Sequence, residues 1–257
     1  MIWITGDTHA NFHRFTTDNF PEQKEMTKAD TVIICGDFGG VWRSNSPIFT
    51  MYIKEEEWWL DWLENKPFTV AFVDGNHENH WRLAEYPVKE WNGGKVHEIR
   101  PHVLHLMRGE IYEIEGKKFF AFGGASSHDI QHGIIDSADE DWRDQCRHLD
   151  RQGKYMYRIK GLSWWPEELP SDEEMVNGVR NLGKHGWKVD FIITHTPPAS
   201  IVAILGHGLY EQDVLTRYLE EIRGKMIFKK HFFGHMHDNR NLNDRDVLLY
   251  EQIIRIV

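Results

Sequence analysis

Side chains that bind metal ions recur in five short clusters along this chain. The clusters, called the ligand loops below, are Gly6-Asp7-Thr8-His9, Gly36-Asp37, Gly75-Asn76-His77-Glu78, Thr194-His195-Thr196 and Gly234-His235-Met236-His237. Their candidate ligands are Asp7, His9, Asp37, Asn76, His195, His235 and His237. Carboxylate, imidazole and amide groups without thiolate suit divalent Mn, Fe, Zn, Co or Ni. Because the supply exceeds one ion, the pattern predicts a pair of ions, the arrangement used for in-line attack at phosphorus.

Each ligand loop directly follows a short apolar run that is typical of a buried strand. These runs are residues 1–5, 31–35, 69–73, 189–194 and 230–233. Helices are predicted at residues 54–65, 172–184 and 211–223, with a capping box at Ser171 and Glu174 and a stop at Gly224. Loops at the carboxyl ends of strands converge on one crevice in an open α/β sheet, so we expect the five loops to meet.

Two further pairs of short runs indicate antiparallel strands at the sheet edges. Residues 111–115 and 118–122 alternate well enough to predict a hairpin, and residues 246–250 and 253–257 predict a closing pair. Residues 126–171, called the excursion below, are polar and rich in His and Asp. Long ordered loops of this kind are commonly functional, so we expect the excursion to lie beside the site.

The ordered motifs resemble the signature of the calcineurin-like metallophosphoesterase superfamily. The resemblance rests on Asp7-x-His9, Gly36-Asp37, Gly75-Asn76-His77-Glu78, His195 and Gly234-His235-x-His237, and it spans nearly the whole chain. It implies an α/β fold, a four-layer α/β/β/α sandwich with two mixed sheets. We expect a single domain over residues 1–257 that includes the excursion.

The resemblance also implies roles for individual residues. Asp7, His9, Asp37 and His237 would hold one metal ion, and Asp37, Asn76, His195 and His235 would hold the other. Asp37 would bridge two divalent ions, with Mn the one expected to support activity in vitro, and a hydroxide shared by the ions would attack phosphorus. His77 would stabilise the developing charge or protonate the leaving oxygen.

Two departures from the family pattern bear on the substrate. The protein-phosphatase branch carries arginines after Gly-Asp and before Gly-Asn-His, but this chain has Phe38 and Asp74 near those positions. A phosphomonoester dianion favours bidentate guanidinium partners, so their absence slightly favours a diester substrate. Arg43 or Arg82 could replace them, which keeps a Ser/Thr-type protein phosphatase as an alternative. A catalytically silent metal-binding scaffold is the other alternative, although the ligands and His77 are retained.

Composition limits the partners that this chain can take. The 257 residues contain 40 Asp and Glu against 30 Lys and Arg, a net charge of −10, which opposes binding to nucleic acid or an anionic membrane. No apolar run is long enough to span a membrane. Cys35 lies in an apolar run and is expected to be a small buried side chain, and a cytoplasmic setting is expected. A phosphate ester is the expected partner, and nothing predicts the oligomeric state.

Several residues near the motifs are left without an assigned role. His80, His128, Asp129, His132 and His207 lie where they could contact substrate. Trp42, Trp164 and Trp165 could stack on a nucleobase or an aromatic leaving group, although packing is the more ordinary role for tryptophan.

Overall fold

The computed structural model describes residues 1–43, 50–206 and 211–256. The strands in chain order are β1 Ile2–Thr5, β2 Thr31–Ile34, β3 Thr69–Phe72, β4 Val88–Trp91, β5 Gly94–Arg100, β6 Val103–Leu106, β7 Glu110–Ile114, β8 Lys117–Phe122, β9 Ile134–Asp136, β10 Arg158–Lys160, β11 Phe191–Thr194, β12 Lys230–Phe233, β13 Arg240–Asn241, β14 Asp246–Leu248 and β15 Ile253–Arg255. The α-helices are α1 Thr50–Glu64, α2 His80–Glu85, α3 Trp142–Arg151, α4 Asp172–Lys184, α5 Ala199–Leu205 and α6 Val214–Lys225.

The strands form two large mixed sheets. The first has the order β15-β1-β2-β3-β6-β5-β4. In it β1, β2, β3 and β6 are parallel, β15 pairs antiparallel with β1, and β5 pairs antiparallel with both β6 and β4. The second has the order β13-β14-β12-β11-β8-β7, with β13 and β7 antiparallel to a parallel centre. This arrangement confirms the predicted α/β class with two mixed sheets.

Alternation along the strands creates a core between the sheets and a second core outside each of them. In β1, Ile2 and Ile4 join the core between the sheets, whereas Trp3 joins the outer core that includes Leu60 of α1. Phe119 of β8 likewise faces the first sheet, and its neighbours Phe120 and Phe122 pack with Leu182 of α4 and Leu215 of α6. Because successive side chains of a strand point to opposite faces, both faces of each sheet are buried, and the layers are ordered α/β/β/α.

All five strands predicted to precede the ligand loops are present within one or two residues of their predicted bounds. The predicted helices are also present, although α1 begins earlier, at Thr50. Helix α6 begins after the cap Asp213 rather than at 211 and continues to Lys225, so Gly224 does not end it. The β7–β8 hairpin is confirmed, with Glu115 and Gly116 as its two turn residues, both at positive φ.

The predicted closing pair is wrong. Strand β14 pairs with β12 and β13 in the second sheet, whereas β15 pairs with β1 in the first sheet, so the two do not pair with each other. The chain crosses between the sheets at Tyr250, whose N–H donates to Asn239 Oδ1 and whose carbonyl accepts from Arg14. Residue 257 lies outside the described residues.

The excursion leaves the second sheet after β8 and returns at α4. It contains α3 and a small parallel sheet of β9 and β10, with Ile135 opposite Ile159. Its two ends approach the ligand loops, because Ala125 N–H donates to the carbonyl of Glu168 and Gly124 N–H donates to the carbonyl of Asp74.

Among the described residues, no helix is long and apolar enough to cross a membrane.

Candidate metal centre

The ligand loops hold their residues in an unusual backbone conformation. His9, Asp37, His235 and His237 all have positive φ, between 43° and 70°. Left-handed backbone is costly for residues other than glycine and persists where surrounding contacts impose it, often at functional sites. Four of the seven candidate ligands therefore sit in strained turns immediately after buried strands.

Glycines in these loops allow the candidate ligands to approach one another. A Cβ added at Gly75 would lie 2.1 Å from Asp37 Oδ1, and one at Gly36 would lie 2.3 Å from the His195 ring. Gly36 also has a φ of +91°, which an L side chain rarely adopts. Gly36 and Gly75 are thus required by the close packing of these candidate ligands.

Two groups of candidate ligands share Asp37. The first contains Asp7, His9, Asp37 and His237, and its ligand atoms all lie within 4.8 Å of one another. His9 Nε2 is 3.0 Å from His237 Nε2 and 3.7 Å from Asp37 Oδ2, and His237 Nε2 is 3.4 Å from Asp7 Oδ2. Imidazole nitrogens and carboxylate oxygens that converge in this way form a donor set suited to a divalent cation.

The second group contains Asp37, His195 and His235 within the same 4.8 Å limit. His195 Nε2 is 3.2 Å from Asp37 Oδ1, and the N–H of His77, the residue after Asn76, donates to that oxygen at 2.9 Å. Asn76 Oδ1 and His195 Nε2 are buried and make no hydrogen bond within the described part of the chain. A buried polar atom without a partner is costly, and a cation in this group would satisfy both.

Neighbouring groups orient these side chains toward a cation. His195 Nδ1 donates to the carbonyl of Cys35 at 2.9 Å, so Nε2 is the ring nitrogen that faces Asp37. The Glu78 carboxylate accepts the N–H of Gly39 at 3.1 Å and that of Gly75 at 2.6 Å, so it joins two ligand loops. Cys35 is fully buried, as its apolar run predicted.

The electrostatics of the centre also favour a bound cation. Burial, together with the nearby Asp37 carboxylate, raises the pKa of Asp7 to about 7. Burial opposes protonation of His195, but the Asp37 and Asp7 carboxylates outweigh it and raise the pKa of His195 to about 10. Carboxylates packed this closely raise the pKa values of neighbouring groups, because the site lacks positive charge. Bound divalent ions would supply that charge.

His77 lies at the edge of the centre. Its ring meets the His9 ring edge-on, with centroids 4.9 Å apart, and stacks against Trp42 with centroids 5.6 Å apart. Arg158 Nη2 donates to His77 Nε2 at 3.2 Å. The predicted catalytic residue thus lies beside both ligand groups and also contacts the excursion.

Comparison with known proteins agrees with this geometry. The sequence model of the calcineurin-like phosphoesterase family matches residues 1–239. The chain belongs to this family. A relative is lariat debranching enzyme A of Xenopus laevis, which is 26% identical over 141 residues. That match covers 51% of this chain and 25% of the relative, so the chain spans about a quarter of the curated relative's length.

In this phosphoesterase the excursion contributes residues that the sequence analysis missed. Ser127 Oγ accepts from Asn76 Nδ2 at 3.4 Å, and Glu168 accepts from both Ser127 N–H and Ser127 Oγ, at 2.9 and 2.6 Å. This chain of contacts turns the Asn76 amide so that Oδ1 remains for a ligand. No local pattern marks Ser127 or Glu168, because their function depends on contacts across 41 to 51 residues.

The residues left without a role fall in several places. His128 Nε2 is 2.8 Å from His235 Nε2, so it adjoins the second group. His80 lies 3.8 Å from Asp74, in a buried network with His105 and Arg108, and Asp129 pairs with Arg158. His132 accepts from Met156 N–H, and His207 lies outside the described residues.

The two arginines considered as phosphate ligands make other contacts. Arg82 pairs with Glu56 and Glu57 and donates to the carbonyl of Arg43, and these contacts join α1 to α2. The Arg43 guanidinium lies over the Tyr52 ring, 4.7 Å from its centroid. Trp165 is buried and meets the Trp42 ring edge-on, which is a packing role.

Proposed function

We propose that this chain is a metal-dependent hydrolase of phosphate esters that uses two divalent ions and favours diesters over monoesters. The observation that carries the proposal is the pair of ligand groups that share Asp37, with Asn76 Oδ1 and His195 Nε2 buried beside them without hydrogen bonds. Family membership supports the same reaction class. The debranching of lariats for which the relative is named belongs to a protein about twice as long as this chain, and we do not propose it here.

Under this proposal each ligand group holds one ion. Asp7, His9, Asp37 and His237 hold the first, and Asp37, Asn76, His195 and His235 hold the second. Bound ions would lower the pKa of a water molecule, polarise the phosphoryl oxygens and neutralise developing charge. The Mn ion is the expected metal in vitro, because nitrogen and oxygen ligands without thiolate suit it.

His77 is proposed to assist the leaving oxygen. As the water oxygen bonds to phosphorus, the bond from phosphorus to the leaving oxygen breaks, and that oxygen takes a proton from His77 or a hydrogen bond from it. The Asp37 carboxylate accepts the backbone N–H of His77, Trp42 covers one ring face and Arg158 donates to Nε2, so both the backbone and the ring are held in place. The imidazole is thus fixed beside the ions without serving as a ligand.

The test combines metal analysis with a comparison of substrates. Protein stripped with a chelator is loaded with Mn, Ni, Zn or Fe, and hydrolysis of an aryl phosphodiester, an aryl phosphomonoester and a phosphopeptide is measured. We expect about two ions per chain and the highest kcat/KM for the diester. Fewer than one ion per chain after Mn loading would overturn the two-ion site, and preference for the phosphopeptide would identify a protein phosphatase instead.

A matched pair of variants separates chemistry from metal binding. We expect His77→Ala to retain its ions but to lose two to four orders of magnitude in kcat, roughly the range for loss of a general acid. His148→Ala, at an exposed histidine of α3, is the control. Unchanged turnover in His77→Ala would remove the role assigned to His77.

The cytoplasmic location stays a prediction, and both cysteines are free, as is usual in reducing compartments.

A further inference from the structure

A cavity of about 360 Å³ opens beside His9 and His77. Its wall includes the aromatic residues Trp42, Tyr52 and Trp59. The volume is within the range of small-molecule sites, roughly 300 to 1,000 Å³. Since His77 is the group proposed to assist the leaving oxygen, the cavity lies where the leaving group would be.

The cavity wall is held by buried polar contacts. The Glu56 carboxylate accepts the N–H groups of Trp42 and Arg43 at 3.1 and 2.7 Å and pairs with Arg82. Glu56 is only 8% exposed, so this anchor connects α1 to the loop after β2 within the protein interior. The backbone that carries Trp42 is therefore held in place before a ligand arrives, which lowers the entropic cost of binding.

The charge and shape of the wall indicate what it binds. Aromatic rings and the Arg43 guanidinium bind flat rings by stacking and cation–π contacts. Glu55 and Glu56 also line the cavity. Because Arg82 already pairs with Glu56, the Glu55 carboxylate balances the Arg43 guanidinium and leaves no excess positive charge for a second phosphate. We propose that this cavity binds the nucleobase of a nucleoside leaving group, an inference that rests on the proposed function and names its substrate class.

The test uses two diesters that differ in one base. A dinucleoside monophosphate is compared with the same compound whose leaving-side sugar carries no base, so the broken bond is the same. We expect the base to raise kcat/KM by roughly tenfold or more, in line with stacking on aromatic side chains. Tyr52→Ala should reduce that ratio to near one, whereas Tyr155→Ala, at an exposed tyrosine of the excursion, should keep it.

A binding measurement separates failure of this inference from failure of the proposed function. A nucleoside 5′-monophosphate titrated into the metal-loaded protein should quench tryptophan fluorescence, with at least fivefold weaker binding in Tyr52→Ala. A ratio near one in the wild type, together with equal binding by Tyr52→Ala, would overturn the nucleobase site. If no ester is hydrolysed but quenching follows Tyr52, the site stands and the proposed hydrolysis fails.

A separate observation concerns Arg158, at the start of β10 in the excursion. Arg158 is 8% exposed. Its Nε donates to Asp129 Oδ1 at 2.6 Å and its Nη1 to the carbonyl of Ser163 at 2.9 Å, while Nη2 reaches His77 Nε2 at 3.2 Å. Two contacts thus fix the guanidinium plane, and the third aims it at the reaction centre.

The contact with His77 can be exchanged for a stronger one. A phosphoryl oxygen carries negative charge and forms short, frequently bidentate hydrogen bonds with arginine, whereas the His77 imidazole nitrogen is neutral and offers one lone pair. Arg82, in contrast, is occupied by Glu56 and Glu57. We infer that Arg158 binds a non-bridging phosphoryl oxygen of the substrate and replaces the arginines missing from the ligand loops.

Phosphate inhibition and chemical rescue test this role. In Arg158→Ala we expect kcat/KM to fall roughly a hundredfold, as for loss of a charged hydrogen bond. The inhibition constant of inorganic phosphate should rise by a similar factor, and metal content should not change. Guanidinium ion added at millimolar concentration should restore part of the rate. Arg147→Ala, at an exposed arginine of α3, is the control.

A purely structural role for Arg158 predicts a different pattern. Asp129→Asn weakens the same ion pair but keeps the guanidinium, so it should lose much less activity than Arg158→Ala. Equal losses in the two variants, without rescue by guanidinium, would overturn the inference. If the wild type hydrolyses no ester, calorimetric titration of the metal-loaded proteins with phosphate still decides the role of Arg158, and the proposed hydrolysis alone fails.

Discussion

The ligand loops and the excursion meet at the same centre but are held in place by different means. The ligand loops are short turns at the ends of fully buried strands, and positive φ at His9, Asp37, His235 and His237 is imposed by the sheets beneath them. The excursion has a three-residue strand pair, a largely exposed helix and a short 3₁₀ helix at Pro166–Glu168. It reaches the centre through single side chains, chiefly Ser127, Arg158 and Glu168.

This difference separates two tasks within one site. Strand ends fix the positions of the candidate ligands, because a sheet core resists displacement. Side chains from the excursion orient Asn76 and contact His77, which adjusts the centre without forming it. Loss of a candidate ligand from the ligand loops should therefore abolish metal binding, whereas changes in the excursion should weaken it or alter turnover.

The largest effect is expected at Asp37, the residue common to both ligand groups. Asp37→Asn should leave fewer than one ion per chain and reduce hydrolysis by roughly a thousandfold, beyond the 10- to 100-fold cost typical of outer-shell partners. Elemental analysis of dialysed protein measures the ions. Asp144→Asn, at an exposed carboxylate of α3, should bind as the wild type does, and two ions retained by Asp37→Asn would contradict the shared site.

A smaller but still large effect is expected from Gly75→Ala. The new Cβ would lie 2.1 Å from Asp37 Oδ1, so the carboxylate or the loop must move. We expect metal affinity to fall roughly a hundredfold. The control is Gly183→Ala in α4, where nothing lies within 4 Å and removal of a helical glycine should stabilise the fold by about 0.5 to 1 kcal/mol. Wild-type affinity in Gly75→Ala would show that the loop is not rigid.

An intermediate effect is expected from the excursion at Glu168. Glu168→Gln removes one of the carboxylate oxygens that hold Ser127, so the Asn76 amide loses its orientation. Titration with Mn should show roughly tenfold weaker binding of one ion and normal binding of the other. The exposed neighbour gives a matched control, Glu167→Gln. Equal weakening of both ions would mean that the excursion supports the whole centre.

The sequence predicted the strands that precede the ligand loops because their signals are local. A buried apolar strand followed by glycine and a candidate ligand can be recognised within ten residues, as at Thr31–Ile34 and Asp37. The partners of β14 and β15, which lie in different sheets, were not predictable in this way, since alternation does not specify the partner strand. Arg158 was missed for a related reason: 81 residues separate it from His77, and only the fold joins them.

The smallest effect concerns the strands beneath two ligand loops and appears in stability rather than activity. His231 of β12 is buried, and its Nε2 donates to Thr194 Oγ1 at 2.8 Å, while its Nδ1 makes no hydrogen bond within the described residues. Burial lowers the pKa of His231 to about 3 from 6.5, although Asp246 opposes this shift. The unfolded state therefore binds a proton that the folded state refuses between these pH values, and stability falls as pH drops below 6.5.

His231→Gln should remove this acid sensitivity while it retains a donor to Thr194. From pH 6.5 to pH 5 the wild type should lose about 2 kcal/mol more free energy of unfolding than the variant, at 1.36 kcal/mol per pH unit. Urea unfolding in the presence of a chelator measures the difference with the metal state held constant. The exposed His148→Gln should follow the wild type, and parallel pH dependence in all three proteins would show that acid acts on the ligand loops and not on the sheet beneath them.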